Sequence, residues 1–225
     1  MAHRHATNPG MDGLGIYAGR RRLPPDVRKA QIVRTAADFF AEHGFAGSTR
    51  DLAAEIGVTQ ALLYRYFDTK EALIAAVFDE LRDRYDPASS AVLQNTALPL
   101  VERVVEFYRT WLDRVADPLS CRLYMYSALA GYDFQTKIAP NAEDMALKPL
   151  LAALRKEAGL PARRSGPLSA AEYDLVVPLH AAMTAIPMRR YIQRMAMDDA
   201  RYTQALISTA SVGAAGIVAA LKAGA

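Results

Sequence analysis

The fold of this chain is decided by residues 48–73, which read STRDLAAEIGVTQALLYRYFDTKEAL. Ser48 or Thr49 can cap a short helix, and Gly57 can end it because glycine readily adopts the left-handed conformation. Thr59 then stands where the cap of a second short helix belongs. Two short helices joined by a tight turn that contains glycine predict a helix-turn-helix.

The second of these helices carries polar and basic side chains on its outward face. Leu63 and Phe67 are four residues apart and can share the buried face. The residues left pointing outward are Gln60, Ala61, Tyr64 and Arg65. Glutamine can pair with adenine, arginine with guanine or phosphate, and tyrosine can donate to a phosphate oxygen. This pattern favours a DNA-binding helix over a helical hairpin whose polar residues are merely solvated.

Two runs in this stretch, TRDLAAEIGVT and LLYRYFDTKEAL, resemble the DNA-binding segment of the TetR family of transcriptional regulators. The similarity covers residues Arg28 to Val77, and its glycine, tyrosine, phenylalanine and lysine fall in the family's register. Together with the helical pattern of the later chain, it implies an all-α fold. In that fold an N-terminal three-helix helix-turn-helix domain lies on a larger helical ligand-binding and dimerisation bundle, with about nine helices in all.

By that resemblance, Tyr64 and Lys70 would contact phosphates, and Thr49 would meet the DNA backbone. The full predicted DNA-binding set is Thr49, Thr59, Gln60, Ala61, Leu62, Tyr64, Arg65, Tyr66 and Lys70. Many family members carry a small residue and a glycine where Ala61 and Leu62 stand. A family base preference therefore does not transfer, and Leu62 can instead contact a thymine methyl group.

Length and composition set the bounds for the whole chain. With 225 residues, of which 52% are hydrophobic and 23% charged, it can bury one large core or carry a small domain on a larger one. The single cysteine, Cys121, excludes an intramolecular disulfide and is expected in the core rather than as a redox sensor. We find no spanning apolar run and no signal peptide, so we expect a cytoplasmic protein.

Charge is unevenly distributed along the chain. Residues 1–70 hold ten Lys/Arg and seven Asp/Glu, whereas residues 71–225 hold seventeen of each, so the basic excess lies at the predicted DNA-binding end. Residues 1–22 end in three arginines and show no periodicity, which predicts a disordered basic arm. The arginines could reach the minor groove or form a solvated tail. We therefore divide the chain into residues 1–22, a helix-turn-helix domain at 23–70 and an effector-binding and dimerisation domain at 71–225.

The remaining chain is predicted to be helices and short loops. Asp68 and Glu71 have the spacing of a capping pair for the fourth helix, which is expected to link the DNA-binding end mechanically to the rest. The predicted helices are Val27–His43, one from Thr69 or Lys70 to about Tyr85, Pro99–Val115, Pro118–Leu129, Asn141–Ala158, one from Ser169 to about Met195, and one from Asp199 to near Ala223.

The final helix is dense in small residues between Ala205 and Leu221. Small residues allow helices to approach closely. We predict that this helix and the one beginning at Ser169 form a four-helix interface with the same pair of a second chain; the alternative is that both are internal core. Two-fold binding to a palindromic site requires such a homodimer.

Aromatic and methionine side chains in the larger domain suit an apolar or aromatic effector. The candidate pocket residues are Tyr108, Trp111, Tyr124, Met125, Phe134, Met145, His180, Met183, Thr184 and Tyr191. Each could equally be ordinary core. His180, Thr184 and Tyr191 share a helix face and could orient a ligand, or His180 could be a core histidine with satisfied hydrogen bonds.

These features predict a ligand-responsive transcriptional regulator, a homodimeric repressor of a palindromic operator on double-stranded DNA. An activator remains open. The chain shows no metal-ligand spacing, nucleotide-binding loop or nucleophile with partners, so we expect no enzymatic activity, cofactor, metal or membrane association. The alternative is an all-helical small-molecule carrier or enzyme, which would show no salt-sensitive binding to duplex DNA.

Overall fold

The computed structural model describes residues 24–84, 86–132 and 142–224. These residues form nine α-helices, a 3-10 helix and a π-helical segment, and they contain no strand, so the all-α prediction is confirmed. The α-helices are α1 (Pro25–His43), α2 (Thr49–Ile56), α3 (Gln60–Tyr66), α4 (Lys70–Arg82), α5 (Leu100–Val115), α6 (Pro118–Leu129), α7 (Lys148–Glu157), α8 (Ala170–Tyr191) and α9 (Asp199–Ala223). The 3-10 helix covers Pro87–Gln94, and the π-helical segment Glu143–Leu147 leads directly into α7.

The helix-turn-helix forms by the local rules that predicted it. Ser48 caps α2, because its side chain accepts a hydrogen bond from the backbone N–H of Arg50. Gly57 ends α2 in the left-handed conformation at φ 74°. Thr59 caps α3 by accepting from the backbone N–H of Leu62. The three helices α1, α2 and α3 are therefore placed as expected.

The start of α4 differs from the prediction. Thr69, not Asp68, is its cap, and the Thr69 side chain accepts from the backbone N–H of Ala72. The predicted pairing of Asp68 with Glu71 is wrong because the chain stays extended one residue longer. At its other end α4 stops at Arg82, and the segment after it is the 3-10 helix rather than a simple loop.

The last two helices follow their predicted caps. Ser169 and Glu172 form a reciprocal capping box at the start of α8. The helix continues through Pro178 and Pro187 and ends at Tyr191, four residues before the predicted end. The predicted arm at residues 1–22, the start of the seventh helix at Asn141 and the candidate residue Phe134 lie outside the described residues.

Buried apolar side chains fall into two clusters. The first is supplied by α1 to α4 and their connections, and it also contains Leu123 of α6, which is completely buried. The second is supplied by the 3-10 helix, the π-helical segment and helices α5, α7, α8 and α9. The side chains of α4 pack in the first cluster, and the domain boundary near residue 70 stays a prediction.

The two clusters are joined by α6, which packs on α1 and also on α8. Besides Leu123, Tyr126 of α6 approaches the end of α1, where its hydroxyl donates to the carbonyl of Glu42 at 3.5 Å. The Tyr126 ring lies where a side chain on Gly44 would point, because a Cβ there would be 3.0 Å from the ring carbon Cδ1. The N-terminal helices thus contact the larger bundle through α6 as well as through the chain that follows α4.

Ion pairs cross between the end of α4 and the corner of α5 and α6. Arg84 bonds Asp117 at 2.8 Å, and Arg114 bonds Asp86 at 3.3 Å. Asp117 also caps α6 through the backbone N–H of Ser120. These pairs connect the residues that follow α4 to the corner between α5 and α6.

A glycine pair tests the contact between α1 and α6. Gly44 and Gly131 have similar positive φ angles of 69° and 72°, but a Cβ on Gly131 would meet nothing within 4 Å. Gly131→Ala should lose about 1 kcal/mol of unfolding free energy through backbone strain. Gly44→Ala should lose about 1 to 3 kcal/mol for the same reason, because its φ of 69° and ψ of 178° are essentially limited to glycine. Gly44→Ala should lose a further 1 kcal/mol or more, as an order-of-magnitude estimate, because it pushes on Tyr126.

Urea denaturation at fixed protein concentration measures both losses. Equal losses in the two variants would show that Tyr126 does not restrain the end of α1.

Candidate functional site

The outward face of α3 is open to solvent. Gln60, Ala61 and Arg65 are exposed, and Tyr64 is 40% exposed although it is a large aromatic residue. Leu62 is half-buried beside them. On the opposite face Leu63 is buried in the N-terminal core, as its four-residue spacing from Phe67 predicted. The structure thus presents the predicted polar and aromatic face on one side of a short helix.

Thr49 joins this face to the start of α2. The Gln60 amide nitrogen donates to the Thr49 hydroxyl at 2.9 Å, and the Tyr64 hydroxyl lies 3.4 Å from the same oxygen. All three groups are accessible to solvent, so each can exchange these contacts for hydrogen bonds to a nucleic acid. The network brings together Thr49, Gln60 and Tyr64, which the sequence places in two different helices.

Lys70 has a second contact that the sequence did not indicate. Its ammonium donates to the carbonyl of Gly47 at 2.6 Å and lies 5.9 Å from the ring centroid of Phe40. An ammonium has three N–H donors, so this bond leaves capacity for a phosphate. Lys70 therefore ties the turn before α2 to the first residue of α4. A carbonyl acceptor has no sequence signature, which is why Gly47 was not foreseen.

Two residues of the predicted set are partly structural. Tyr66 is half-buried and packs against the N-terminal core. Thr59 is exposed, but its hydroxyl caps α3. Lys29, on α1, lies 5.5 Å from the ring centroid of Phe67 and adds a cation at the edge of the same surface. All nine DNA-contact assignments stay predictions.

The predicted effector residues are not gathered around one cavity. Tyr108 and Met183 are fully buried, whereas Tyr124 is 36% exposed. Half-buried members are Trp111, Met125, Met145, His180, Thr184 and Tyr191. One groove of 490 Å³ lies among the 3-10 helix, α7 and the chain after it, and a second of 360 Å³ lies between α8 and α9; neither is lined by these residues.

Three of the predicted residues do meet. The Tyr108 hydroxyl and His180 Nδ1 are 2.9 Å apart, and the Trp111 ring packs edge-on against the imidazole with centroids 5.2 Å apart. Burial lowers the pKa of His180 to about 4 and raises that of Tyr108 above its usual range. Both groups are therefore neutral near pH 7. Thr184 instead bonds back to its own helix, at the carbonyl of Ala181.

The exposed face of α9 is unusually apolar. Only Leu206, Ala210, Ala214 and Ile217 are buried along its 25 residues, while Val212 is 77% exposed. The 360 Å³ groove runs beside Val212 and is lined mostly by apolar residues of α8 and α9, with Thr209 among them. By length and composition α9 could cross a membrane, contrary to our expectation, but apolar helices of soluble proteins pass the same test. Only 22% of the apolar window is buried, so most of it faces solvent in the single chain.

An exposed second helix of a helix-turn-helix, backed by a helical bundle, is the arrangement typical of one class of DNA-binding proteins. No cluster of potential metal ligands occurs in the described part of the chain. A sequence profile described as "Bacterial regulatory proteins, tetR family" matches residues 32–77. This match covers α2, α3 and most of α1 and α4, so the helix-turn-helix segment is similar to that of the tetR family.

Individual proteins extend this comparison. The HTH-type transcriptional repressor Rv3405c of Mycobacterium tuberculosis is 40% identical over 76 residues, which are 33% of this chain and 38% of that repressor. A TetR-like transcriptional regulator from Rhodococcus sp. RHA1 superimposes with a TM-score of 0.64 at 21% identity, over 87% of this chain and all of that one. LfrR from Mycobacterium smegmatis, solved in complex with proflavine, gives a TM-score of 0.52 at 18% identity, over 84% and 98%.

The sequence match and the structural matches cover different shares of the chain. The chain spans 38% of the length of the curated repressor it matches, and that match is confined to 76 residues. The two solved structures share the fold across most of both chains at low identity. The fold is therefore shared over most of the chain, and the chemistry of the bundle has to be argued from its own residues.

The lowered pKa of His180 predicts a pH dependence of stability. Above pH 6.5 the imidazole is neutral in both states, and its contribution is fully present. Between pH 6.5 and about 4 the unfolded chain binds a proton that the folded chain does not, so the free energy of unfolding should fall with pH, by up to about 3 kcal/mol.

Chemical denaturation from pH 7 to pH 4 measures this loss. His180→Gln should remove that part of it, whereas the same change at the exposed His43 should not. Identical pH profiles for wild type and His180→Gln would contradict the assignment.

Proposed function

We propose that this protein is a ligand-responsive transcriptional regulator that binds a palindromic operator as a homodimer and represses transcription. The observation that carries the proposal is the solvent-facing network of Thr49, Gln60 and Tyr64 on the helix-turn-helix. Hydrogen-bonding side chains held in one orientation on an exposed helix suit base edges and phosphates. The match of residues 32–77 to the tetR family profile and the repressor among the relatives support the same role.

Within this proposal the contacts have separate roles. Tyr64, Lys70 and Thr49 bind phosphates and fix the register on the duplex, while Gln60 and Arg65 reach base edges from the major groove. Leu62 offers an apolar contact to a thymine methyl group. Lys70, held by Gly47, supplies its charge from a fixed position. In this arrangement the phosphate-binding side chains, which come from α2, α3 and α4, lie around the side chains of α3 that reach the bases.

Dimerisation is proposed through α8 and α9. The exposed apolar face of α9 and the groove beside it favour a second copy of the chain as cover, because two-fold symmetry brings the same pair of helices together. A dimer also places two recognition helices about 34 Å apart, one turn of DNA. We propose that the regulator acts in the cytoplasm.

Release from DNA requires a ligand that prefers another arrangement of the dimer. Such a ligand must bind that state more tightly than the DNA-competent state. We propose that it is small and apolar or aromatic and that it binds the larger domain; LfrR, with the same fold, binds proflavine. Because α6 packs on both α8 and α1, it is suited to pass a shift in the bundle to the N-terminal helices.

The first test is binding of the purified protein to DNA that flanks its own coding region, at two salt concentrations with nonspecific competitor. Specific binding that weakens with salt supports the proposal, because phosphate contacts release counterions. If selection from random DNA also yields no binding site, the carrier alternative replaces it. A reporter gene then separates repression from activation.

Tyr64→Ala should weaken binding by about tenfold across operator sequences, because it removes a phosphate contact worth about 1.4 kcal/mol. Fluorescence anisotropy with labelled operator measures this change. Arg122→Ala is the control, since Arg122 is exposed on α6, outside the helix-turn-helix. Wild-type affinity in a folded Tyr64→Ala protein would remove Tyr64 from the interface.

Val212→Asp should dissociate the dimer, because a carboxylate would be buried in an apolar interface. The dimer dissociation constant should rise by at least about tenfold, and operator affinity should fall with it. Leu129→Asp is matched in exposure, at 80% against 77%, but lies at the end of α6. Analytical ultracentrifugation measures the dissociation constants, and an unchanged dimer in Val212→Asp would place the interface elsewhere.

A further inference from the structure

His180 has one ring nitrogen that the fold does not use. Nδ1 is occupied by the Tyr108 hydroxyl, but Nε2 has no hydrogen-bond partner among the described residues. In the described chain two side-chain atoms are fully buried without a hydrogen-bond partner, Arg103 Nε and Ser120 Oγ. Nε2 of His180 is not one of them. Because Nε2 has no partner and is still not among those fully buried atoms, it keeps some solvent-accessible surface.

The buried tyrosine determines what Nε2 offers. Tyr108 is completely buried, and among the described residues His180 is the only acceptor that its hydroxyl reaches. A buried O–H without an acceptor costs about 1 to 3 kcal/mol, so Tyr108 donates and Nδ1 accepts. The proton of the neutral ring then resides on Nε2. The accessible edge of His180 is therefore an N–H donor.

Trp111 provides an apolar surface next to this donor. Its indole is half-buried, with a ring centroid 5.2 Å from that of His180 and 6.3 Å from that of Tyr108. Because the imidazole carries no charge near pH 7, it offers a neutral carbonyl oxygen or aromatic nitrogen an N–H donor without binding anions by charge. A planar aromatic ring can pack on Trp111 while its acceptor reaches Nε2.

We propose that Trp111 and His180 form the recognition element for the effector, and that this effector is a neutral aromatic molecule carrying a hydrogen-bond acceptor such as a carbonyl oxygen. The proposal rests on the regulator function, which supplies the need for an effector. His180 binds through Nε2–H, Trp111 contacts the aromatic ring, and Tyr108 is a positioning residue that fixes the tautomer.

The site is separate from the proposed dimer interface. On a helix with 3.6 residues per turn, His180 lies about 160° around α8 from Pro178 and Ala182. Those two residues line the groove between α8 and α9. The effector and the second chain therefore occupy different faces of α8, and dimerisation does not cover His180.

A matched pair of probes tests the acceptor requirement. 2-Acetylnaphthalene and 2-ethylnaphthalene share a ring system and differ in the carbonyl oxygen, and acetophenone with ethylbenzene repeats the comparison on one ring. Equilibrium dialysis of the full-length protein measures affinity. Trp111 is the only tryptophan, so a change in its emission locates the bound probe. In at least one pair the carbonyl compound should bind about fivefold more tightly than its hydrocarbon partner, because one hydrogen bond contributes about 1 kcal/mol to the binding free energy.

Variants assign that difference to His180. His180→Leu should abolish the preference for the carbonyl compound, while His180→Gln, which keeps an N–H near the Nε2 position, should retain it. Tyr108→Phe should reduce it, because Nδ1 is then free to take the proton. Circular dichroism and thermal melts establish that each variant is folded, and the His180→Gln result stands even if His180→Leu does not fold.

Equal affinities within both pairs, no binding of any probe, or an unchanged preference in His180→Leu would overturn the site. Operator binding is measured on the same samples. A protein that prefers the carbonyl compound but binds no DNA would refute the proposed regulator while keeping the site. One that binds its operator but none of the probes would refute the site alone.

Discussion

The packing of Leu123 into the core formed by α1 to α4 is the contact on which the architecture depends. Helices α1 to α4 alone form a small core, and the buried side chain from α6 enlarges it. Tyr126 continues the contact along the end of α1. The core that supports α3 is consequently completed by a helix that begins more than fifty residues after α3 ends.

The sequence predicted the helix-turn-helix because every determinant of it is local. Ser48, Gly57 and Thr59 each act within four residues, through a cap or a left-handed turn, so no knowledge of the remaining chain was needed. The error at Asp68 has the same local character: two adjacent residues could cap α4, and the extended backbone of Thr69 decided between them. Helix periodicity likewise located α6 and α9 correctly, since their apolar residues recur over several turns.

Contacts between distant residues could not be predicted in this way. Tyr108 and His180 are 72 residues apart, and the pattern that indicated a pocket could not state which of ten candidates would meet. Lys70 and Gly47 are linked through a backbone carbonyl, which every residue possesses. For α9, small residues indicated close approach, but composition does not distinguish an internal helix from an interfacial one. The 77% exposure of Val212 shows only that this part of α9 is not buried within the chain itself.

Ionic strength should affect this protein in two places, at its contacts with DNA and at the two ion pairs near the end of α4. Arg84 with Asp117 and Arg114 with Asp86 have about a third to just under half of their side-chain surface exposed, so added salt screens them. Salt also competes with any cation that the protein places on phosphates. A plot of log affinity against log salt would then combine two quantities, the number of phosphates neutralised and the stiffness of the junction between the domains. Counting phosphate contacts from such a slope requires a form of the protein in which both ion pairs have been replaced by uncharged residues.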